Sequence, residues 1–151
     1  MRIRPAHPGE RPALAAAAAR AGSAYTPDGE LVLVAVDDHD RVVGWLSGTL
    51  ASVYPGPGAP CPPPHGYVQA VVVAPGARRR GYGHTLLATF VSRARRSGVQ
   101  WLFAVPDEGP GVEARVGWLA SAGWAPVDDP SEEWPVMGRW TTPRPCGEHQ
   151  A

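Results

Sequence analysis

Hydrophobic positions along the chain cluster in short blocks that glycine and proline separate from one another. Two apolar blocks, Leu31–Val36 and Val42–Leu50, flank the polar run Asp37–Asp40. Blocks of this length around a short polar turn predict two strands joined as a β-hairpin. A further block, Tyr67–Val73, is rich in β-branched residues and ends before Pro75, so it predicts another strand.

The segment that follows has the spacing of an amphipathic helix. Its apolar side chains recur at i, i+1, i+4, i+5 and i+8 and form one stripe: Leu86, Leu87, Phe90, Val91 and Ala94. Basic residues occupy the last turn, where they suit the negative end of the helix dipole, and Gly98 then gives an end signal. We therefore predict a helix over Gly83–Arg96.

The remaining blocks complete an alternating series of elements. They predict strands at Met1–Arg4, Trp101–Val105, Trp124–Val127 and Val136–Thr141, and helices at Pro12–Ala21 and Val112–Ala122. The order β-α-β-β-β-α-β-α-β-β indicates an α/β fold with a mixed sheet. Between two of the strands, Ser52–Gly66 is almost wholly Pro, Gly and small residues. It is much longer than the usual hairpin loop of about 2–5 residues, which predicts either a functional loop or a mobile excursion.

Composition and charge narrow the classes of function. The chain has 151 residues with 14 basic and 14 acidic side chains, so its formal net charge is zero. Neutrality argues against nucleic acid or an anionic membrane as the main partner, and no apolar run approaches the roughly 18–20 residues of a membrane span. We expect one domain over residues 1–142 and a flexible tail over residues 143–151.

The cysteines and the N-terminus indicate the compartment. Cys61 and Cys146 have neither metal-ligand spacing nor the number needed for a disulfide framework, so we expect no metal site. Met1–Pro8 has no apolar core or cleavage site of the kind that marks a signal peptide. We therefore expect a cytoplasmic protein whose thiols are reduced.

The segment from Val71 to Leu87 carries the strongest chemical signal. It predicts a strand, a loop punctuated by glycine and the start of a helix. Gly81 and Gly83 permit positive φ and close backbone approach, so successive N–H groups can converge on one anion. The helix start adds its positive end, and Arg78–Arg80 add mobile positive charge. These features predict a pyrophosphate site. The segment lacks the G-K-[ST] of a Walker loop and the three spaced glycines of the Rossmann fingerprint, so the site belongs to neither of these classes.

The spacing of this segment resembles the acyl-CoA signature of the GNAT superfamily of N-acyltransferases. R-x-x-G-x-G runs from Arg78 to Gly83, V-x-P precedes it at Val73–Pro75, and Leu86-Leu87 follows it. Ile3–Ala6 also resembles the opening strand of bacterial members, and Val116–Trp124 resembles their late segment. The resemblance thus covers nearly the whole chain.

The resemblance implies a fold and an activity. The fold would be a mixed, largely antiparallel sheet flanked by helices, with Tyr67–Val73 and Trp101–Val105 as a splayed central strand pair that opens a cleft. The activity would be transfer of an acetyl group from acetyl-CoA, as co-substrate, to a small-molecule amine or a peptide amine in a ternary complex. A non-catalytic acyl-CoA-binding or regulatory module with the same fold is the alternative. A homodimer is left open.

The resemblance also assigns residues to the cofactor. Backbone amides from Arg79 to His84 would cradle the pyrophosphate, and the backbone of Val71–Val73 would pair with the pantetheine arm. The Val73 amide would donate to the thioester carbonyl as an oxyanion donor. Thr85 would either cap the helix or contact phosphate. The candidate cofactor-binding residues are Val71, Val72, Val73, Arg78, Arg79, Arg80, Gly81, Tyr82, Gly83, His84 and Thr85.

Two positions depart from the pattern that the resemblance implies. Many members carry a Glu at the place of Gln69, where it polarises the water that deprotonates the amine, and a Tyr general acid at the place of Leu119. Loss of the acid is tolerable, because a thiol with a pKa of about 8.5 leaves readily. Loss of the base matters more. His65, just before a strand, is either a base at the mouth of the cleft or an exposed loop histidine.

The acceptor side is predicted from charge and from aromatic residues. An acidic turn between the last two strand blocks would attract a cationic amine, or would simply be solvated: Asp128, Asp129, Glu132 and Glu133. Asp107 and Glu108 would either orient the substrate or form a solvated turn. Trp45 and Trp118 either belong to the core or line the acceptor pocket.

Overall fold

The computed structural model describes residues 1–106, 111–127 and 135–142. Within these ranges the elements are β1 (Arg2–Pro5), α1 (Arg11–Arg20), β2 (Leu31–Val36), β3 (Val42–Ser52), β4 (His65–Val73), α2 (Tyr82–Arg96), β5 (Trp101–Ala104), α3 (Val112–Ser121), β6 (Ala125–Pro126) and β7 (Met137–Trp140). The predicted order is confirmed. β4 begins at His65, two residues before the predicted start at Tyr67. The sequence placed His65 and Gly66 in the loop because a run of prolines precedes them.

The strands form one seven-stranded sheet in the order β1-β2-β3-β4-β5-β7-β6. Pairing is antiparallel between β1 and β2, β2 and β3, β5 and β7, and β6 and β7. The predicted class, a mixed and largely antiparallel sheet flanked by helices, is confirmed.

By their contacts, the residues group into two compact units. The first comprises Met1–Leu50 and Val68–Phe90, and the second comprises Ala51–Tyr67 and the described residues from Val91 onward. The domain prediction over residues 1–142 stays a prediction. The predicted tail, residues 143–151, lies outside the described residues.

The first unit has its core between α1 and one face of its strands. The Ala-rich sequence of α1 favours a helix, and Leu14 and Ala18 form its buried face. In β2, every residue from Val32 to Val36 is buried, which explains its unbroken apolar sequence. The buried residues of this cluster are Leu14, Ala18, Val32, Val34, Val36, Trp45, Ala70 and Val72.

An ion pair connects β1 with the start of α1. Nη1 and Nη2 of Arg4 donate hydrogen bonds of 2.7 and 3.0 Å to the two carboxylate oxygens of Glu10. The hydrogen bonds from Arg4 hold the pKa of Glu10 at about 2, below the model-peptide value of 4.5. The pair is therefore ionised at neutral pH.

The second unit has an aromatic core beside β5. All four residues of β5 are buried, as the apolar run predicted, but the exposed Val105 lies beyond the strand. In β7, a Cβ atom at Gly138 would lie only 2.4 Å from the indole of Trp101, so only glycine lets that ring approach the strand this closely. The core consists of Tyr54, Trp101, Phe103, Val127 and Val136, with Cys61, Tyr67 and Trp140 packed against it.

Candidate functional site

The predicted anion loop joins β4 to α2 in the first unit. After β4 the chain makes a single 3₁₀ turn at Pro75–Ala77, whose Ala77 N–H donates to the Ala74 carbonyl at 2.9 Å. Ala77 is buried and fixes this turn to the unit, while Arg78, Arg79 and Arg80 are exposed. The loop therefore has an anchored start and a charged, accessible middle.

Two residues of the loop adopt the left-handed backbone conformation. Gly81 has φ +83°, as glycine permits, and Arg79 has φ +65°, which is uncommon for a residue with a side chain. Left-handed residues among extended or helical ones turn successive N–H groups toward a common point and form an anion-binding nest. The conformation of Arg79 had no signal in the sequence. Gly83, by contrast, lies inside the first turn of α2.

The start of α2 supplies further backbone donors. Helix geometry leaves the amides of Tyr82 and Gly83 without an intrahelical acceptor. Both the amide and the hydroxyl of Thr85 donate to the Gly81 carbonyl, at 3.0 and 2.9 Å. The Thr85 hydroxyl is therefore engaged within the first turn of the helix, and its predicted roles, helix cap or phosphate contact, stay predictions. The Tyr82 side chain is buried and holds this turn in place.

Charge at the loop favours an anion. No acidic residue lies in the first turn of α2. Arg78 donates from Nε to the Val73 carbonyl at 3.3 Å, and none of Arg78, Arg79 and Arg80 forms an ion pair with a carboxylate of residues 1–106, 111–127 or 135–142. The positive charge of three exposed guanidinium groups therefore adds to that of the helix N-terminus, and both attract an anion.

The end of β4 directs its backbone groups alternately toward and away from β3. The Ala74 N–H donates to the Val43 carbonyl at 2.8 Å, and a Cβ at Gly44 would lie 2.9 Å from the Val72 carbonyl. Successive residues of an extended strand point their N–H groups to opposite sides. The Val73 N–H therefore points away from β3.

The family of the chain follows from a comparison of its sequence with family models. The model described as the acetyltransferase (GNAT) family matches residues 3–111, which include the whole loop. The chain belongs to the GNAT family of acetyltransferases. Members of this family transfer acyl groups from acyl-CoA, and membership supports acyl-CoA-dependent acyl transfer in general.

Solved structures agree with this GNAT assignment at the level of the fold. They include the N-acetyltransferase YhbS from Escherichia coli in complex with CoA, at 16% identity and TM-score 0.65 over 93% of this chain and 81% of that chain. Ard1 from Thermoplasma volcanium has 18% identity and TM-score 0.67 over 94% and 98%. A GCN5-related N-acetyltransferase from Kribbella flavida has 24% identity and TM-score 0.63 over 92% and 96%. No curated protein matches the chain in sequence.

Gln69 of this GNAT chain lies in a small polar network. The buried Ser47 hydroxyl accepts a hydrogen bond from the Gly29 N–H at 2.8 Å and donates to Oε1 of Gln69 at 3.1 Å. A Cβ at Gly29 would lie 2.7 Å from the same Oε1, so the glycine lets this loop approach the Gln69 side chain. Gln69 is therefore held by its oxygen, an arrangement that the sequence did not reveal. Leu119, which the resemblance predicts to stand at the place of the family's Tyr, is buried in α3.

His65 is neither at the mouth of a cleft nor in an exposed loop, the two positions that the sequence allowed. It is the first residue of β4 and only 1% exposed. Its Nδ1 accepts a hydrogen bond from the Tyr54 N–H at 2.9 Å, and its Nε2 lies 2.8 Å from the Cys61 carbonyl, to which it donates in the neutral ring. The lone pair that a general base needs is already engaged. This geometry favours a structural role, in which His65 fixes the loop between β3 and β4.

Replacing His65 by alanine tests that role. We expect the free energy of unfolding to fall by about 2–4 kcal/mol, because the backbone of Tyr54 and that of Cys61 each lose a hydrogen bond to the ring and a cavity forms beside Trp101. Urea denaturation measures this change. The exposed His39 provides the control, since His39→Ala should change stability by less than about 0.5 kcal/mol. An unchanged stability for His65→Ala would contradict the structural role, and an acetyl-transfer rate that loses its pH dependence in this variant would favour the base.

Several predicted site residues lie outside the described ranges. They are Asp107, Glu108, Asp128, Asp129, Glu132 and Glu133, together with Cys146. Trp45 belongs to the core of the first unit. Within the described part of the chain, no three His, Cys, Asp or Glu side chains are grouped so that they could hold a metal ion. None of the described helices is long and apolar enough to cross a membrane.

Proposed function

We propose that this chain is an N-acetyltransferase that moves the acetyl group of acetyl-CoA directly to a primary amine in a ternary complex. The observation that carries the proposal is the loop of a GNAT chain in which left-handed Arg79 and Gly81 precede a helix N-terminus. With the exposed arginines, this loop offers backbone donors and positive charge to a pyrophosphate. The backbone of Val71–Val73 would then bind the pantetheine arm.

The proposed reaction is attack by the amine nitrogen on the thioester carbonyl carbon. Negative charge develops on the carbonyl oxygen, and an N–H directed at that oxygen stabilises it more in the transition state than in the ground state. We assign this N–H to Val73, which points away from β3. Collapse of the intermediate breaks the C–S bond, the CoA thiolate leaves, and the amine nitrogen loses its proton to water.

A second candidate function is supported by the side chains at two positions. Gln69 cannot accept a proton, and Leu119 is apolar and buried, so neither supplies acid–base chemistry. A chain that retains only the CoA loop would be a non-catalytic acyl-CoA-binding or regulatory module. A thiol with a pKa of about 8.5 needs no general acid, however, so the absence of the acid does not by itself prevent transfer.

Release of free thiol from acetyl-CoA distinguishes the two functions. We expect acetyl-CoA to bind and thiol to appear only when a primary amine is added, with the N-acetyl product detected by mass spectrometry. The panel should contain arylalkylamines, simple alkylamines, polyamines and peptide N-termini. Binding of acetyl-CoA without product from any of these amines would favour the module, and failure to bind CoA would contradict both functions.

A further inference from the structure

A cavity in the second unit has no role in the functions considered above. Its volume is about 450 Å³, within the range of about 300–1,000 Å³ that is common for small-molecule sites. The side chains that line it are mostly apolar or aromatic: Val53, Tyr54, Tyr67, Phe103, Val105 and Val136. The first of these residues belong to the Pro/Gly-rich loop between β3 and β4, so this part of the loop forms a wall of the cavity.

The aromatic wall of the cavity is closely packed. The rings of Tyr67 and Phe103 stack with centroids 4.7 Å apart and an interplanar angle of 12°. Tyr54 packs edge-on against Phe103 at 5.1 Å and against Trp101 at 5.6 Å. Both geometries are favourable for aromatic pairs and add to the free energy of burial. The cavity therefore exists before a ligand arrives, and little ordering is needed on binding.

His65 holds the loop that forms the other wall. Its ring accepts from the Tyr54 N–H and donates to the Cys61 carbonyl, so one buried side chain fixes both arms of the loop. Of the two alternatives for Ser52–Gly66, this anchoring favours the functional loop. In this arrangement His65 is a positioning residue for Tyr54.

The rim of the cavity exposes large apolar side chains to water. Val53 is 60% exposed and Val105 is 53% exposed. Among the described residues five large hydrophobic side chains are exposed, and two of these five line this cavity. Apolar groups concentrated in one concave place, rather than scattered singly, are typical of a binding site.

We propose that this cavity binds the apolar part of the acceptor amine, an aromatic ring on a short alkyl chain. This inference rests on the proposed acetyl transfer and specifies its substrate class as an arylalkylamine. None of the described residues that line the cavity carries a formal charge, and their polar side chains are the hydroxyls of Ser52, Tyr54 and Tyr67. Against these described side chains a polyamine would lose hydration around its cations and gain no carboxylate, whereas a ring gains apolar contact.

Filling the cavity tests the proposal. In Val105→Trp the new indole should occupy the space from an exposed position, so the fold tolerates it. We expect wild-type protein to prefer 2-phenylethylamine over spermidine by about tenfold or more in kcat/KM. Val105→Trp should raise KM for 2-phenylethylamine by about tenfold and leave KM for ethylamine unchanged. Val42→Trp, also at an exposed valine but outside the cavity lining, is the matched control and should leave both values unchanged.

Direct measurement of amine binding tests the cavity assignment independently of the proposed acetyl transfer. Saturation-transfer NMR reports 2-phenylethylamine on the protein without any turnover. Binding that Val105→Trp abolishes, with no acetylated product, supports the cavity and contradicts the transferase. Turnover that prefers spermidine, or 2-phenylethylamine kinetics that Val105→Trp does not change, would overturn the cavity assignment and leave the transferase standing.

Discussion

Valine in place of Gly81 is expected to weaken CoA binding by about 30-fold or more, which corresponds to about 2 kcal/mol. Gly81 has φ +83°, a conformation that a β-branched residue adopts only under strain. A Cβ there meets no other protein atom within 4 Å, so the added side chain would project into open space at the start of α2. We expect that space to be where the pyrophosphate approaches the backbone. Calorimetric titration with CoA measures the loss.

The control for this substitution lies at the other end of α2. Gly98 has the same φ of +83°, and a Cβ there also meets nothing within 4 Å. Gly98→Val should therefore lower stability by about as much as Gly81→Val while CoA affinity stays unchanged. Equal loss of CoA affinity in the two variants would mean that backbone strain alone is responsible. Unchanged affinity in Gly81→Val would remove the pyrophosphate from this loop.

Glutamate in place of Gln69 is expected to raise the rate for strongly basic amines. An amine with a pKa of about 10.4 is neutral to only about one part in a thousand near pH 7.4, so wild-type kcat/KM should rise with pH and follow the pKa of the acceptor. A carboxylate has the same shape as the amide and can accept the hydrogen bond that Ser47 donates. We expect Gln69→Glu to increase kcat/KM at pH 7 by about tenfold or more for such an amine.

The size of the gain should depend on the acceptor. About one fifth of an amine with a pKa of about 8 is already neutral near pH 7.4, so Gln69→Glu should change its rate by less than about threefold. The exposed Gln100 provides the control, because Gln100→Glu adds the same charge elsewhere and should leave the pH profile unchanged. Equal acceleration of both amines, or none of either, would mean that Gln69 does not lie near the attacking nitrogen.

The sequence was most informative where the signal is local. The β2–β3 hairpin was predicted because its turn needs only neighbouring residues: the Asp37 carboxylate accepts hydrogen bonds from the N–H groups of His39 and Arg41 at 2.9 and 3.0 Å. The apolar stripe of α2 was predicted for the same reason, since helical periodicity is a property of one segment. Leu86 and Phe90 in that stripe are fully buried.

The candidate site was predictable only in part. Glycine at position 81 and the arginines around it are visible in the sequence, and so is the loop they form. The left-handed backbone of Arg79 is not, because residues with side chains rarely adopt it and nothing local requires it. The role of His65 was likewise hidden, because its partners Tyr54 and Cys61 are backbone groups in a loop whose path the composition does not specify.

By itself, the sequence determined the order of strands and helices and the resemblance to an acyltransferase family, and it predicted the anion loop. Each of these depends on spacing within about 15 residues, over which periodicity and turn residues act. The tertiary structure decided which distant side chains meet. Tyr54 lies 47 positions from Trp101 in the chain, yet their rings pack 5.6 Å apart and help to close the cavity beside Phe103. Contacts of that kind form when the chain buries apolar surface as a whole, and no local pattern encodes their partners.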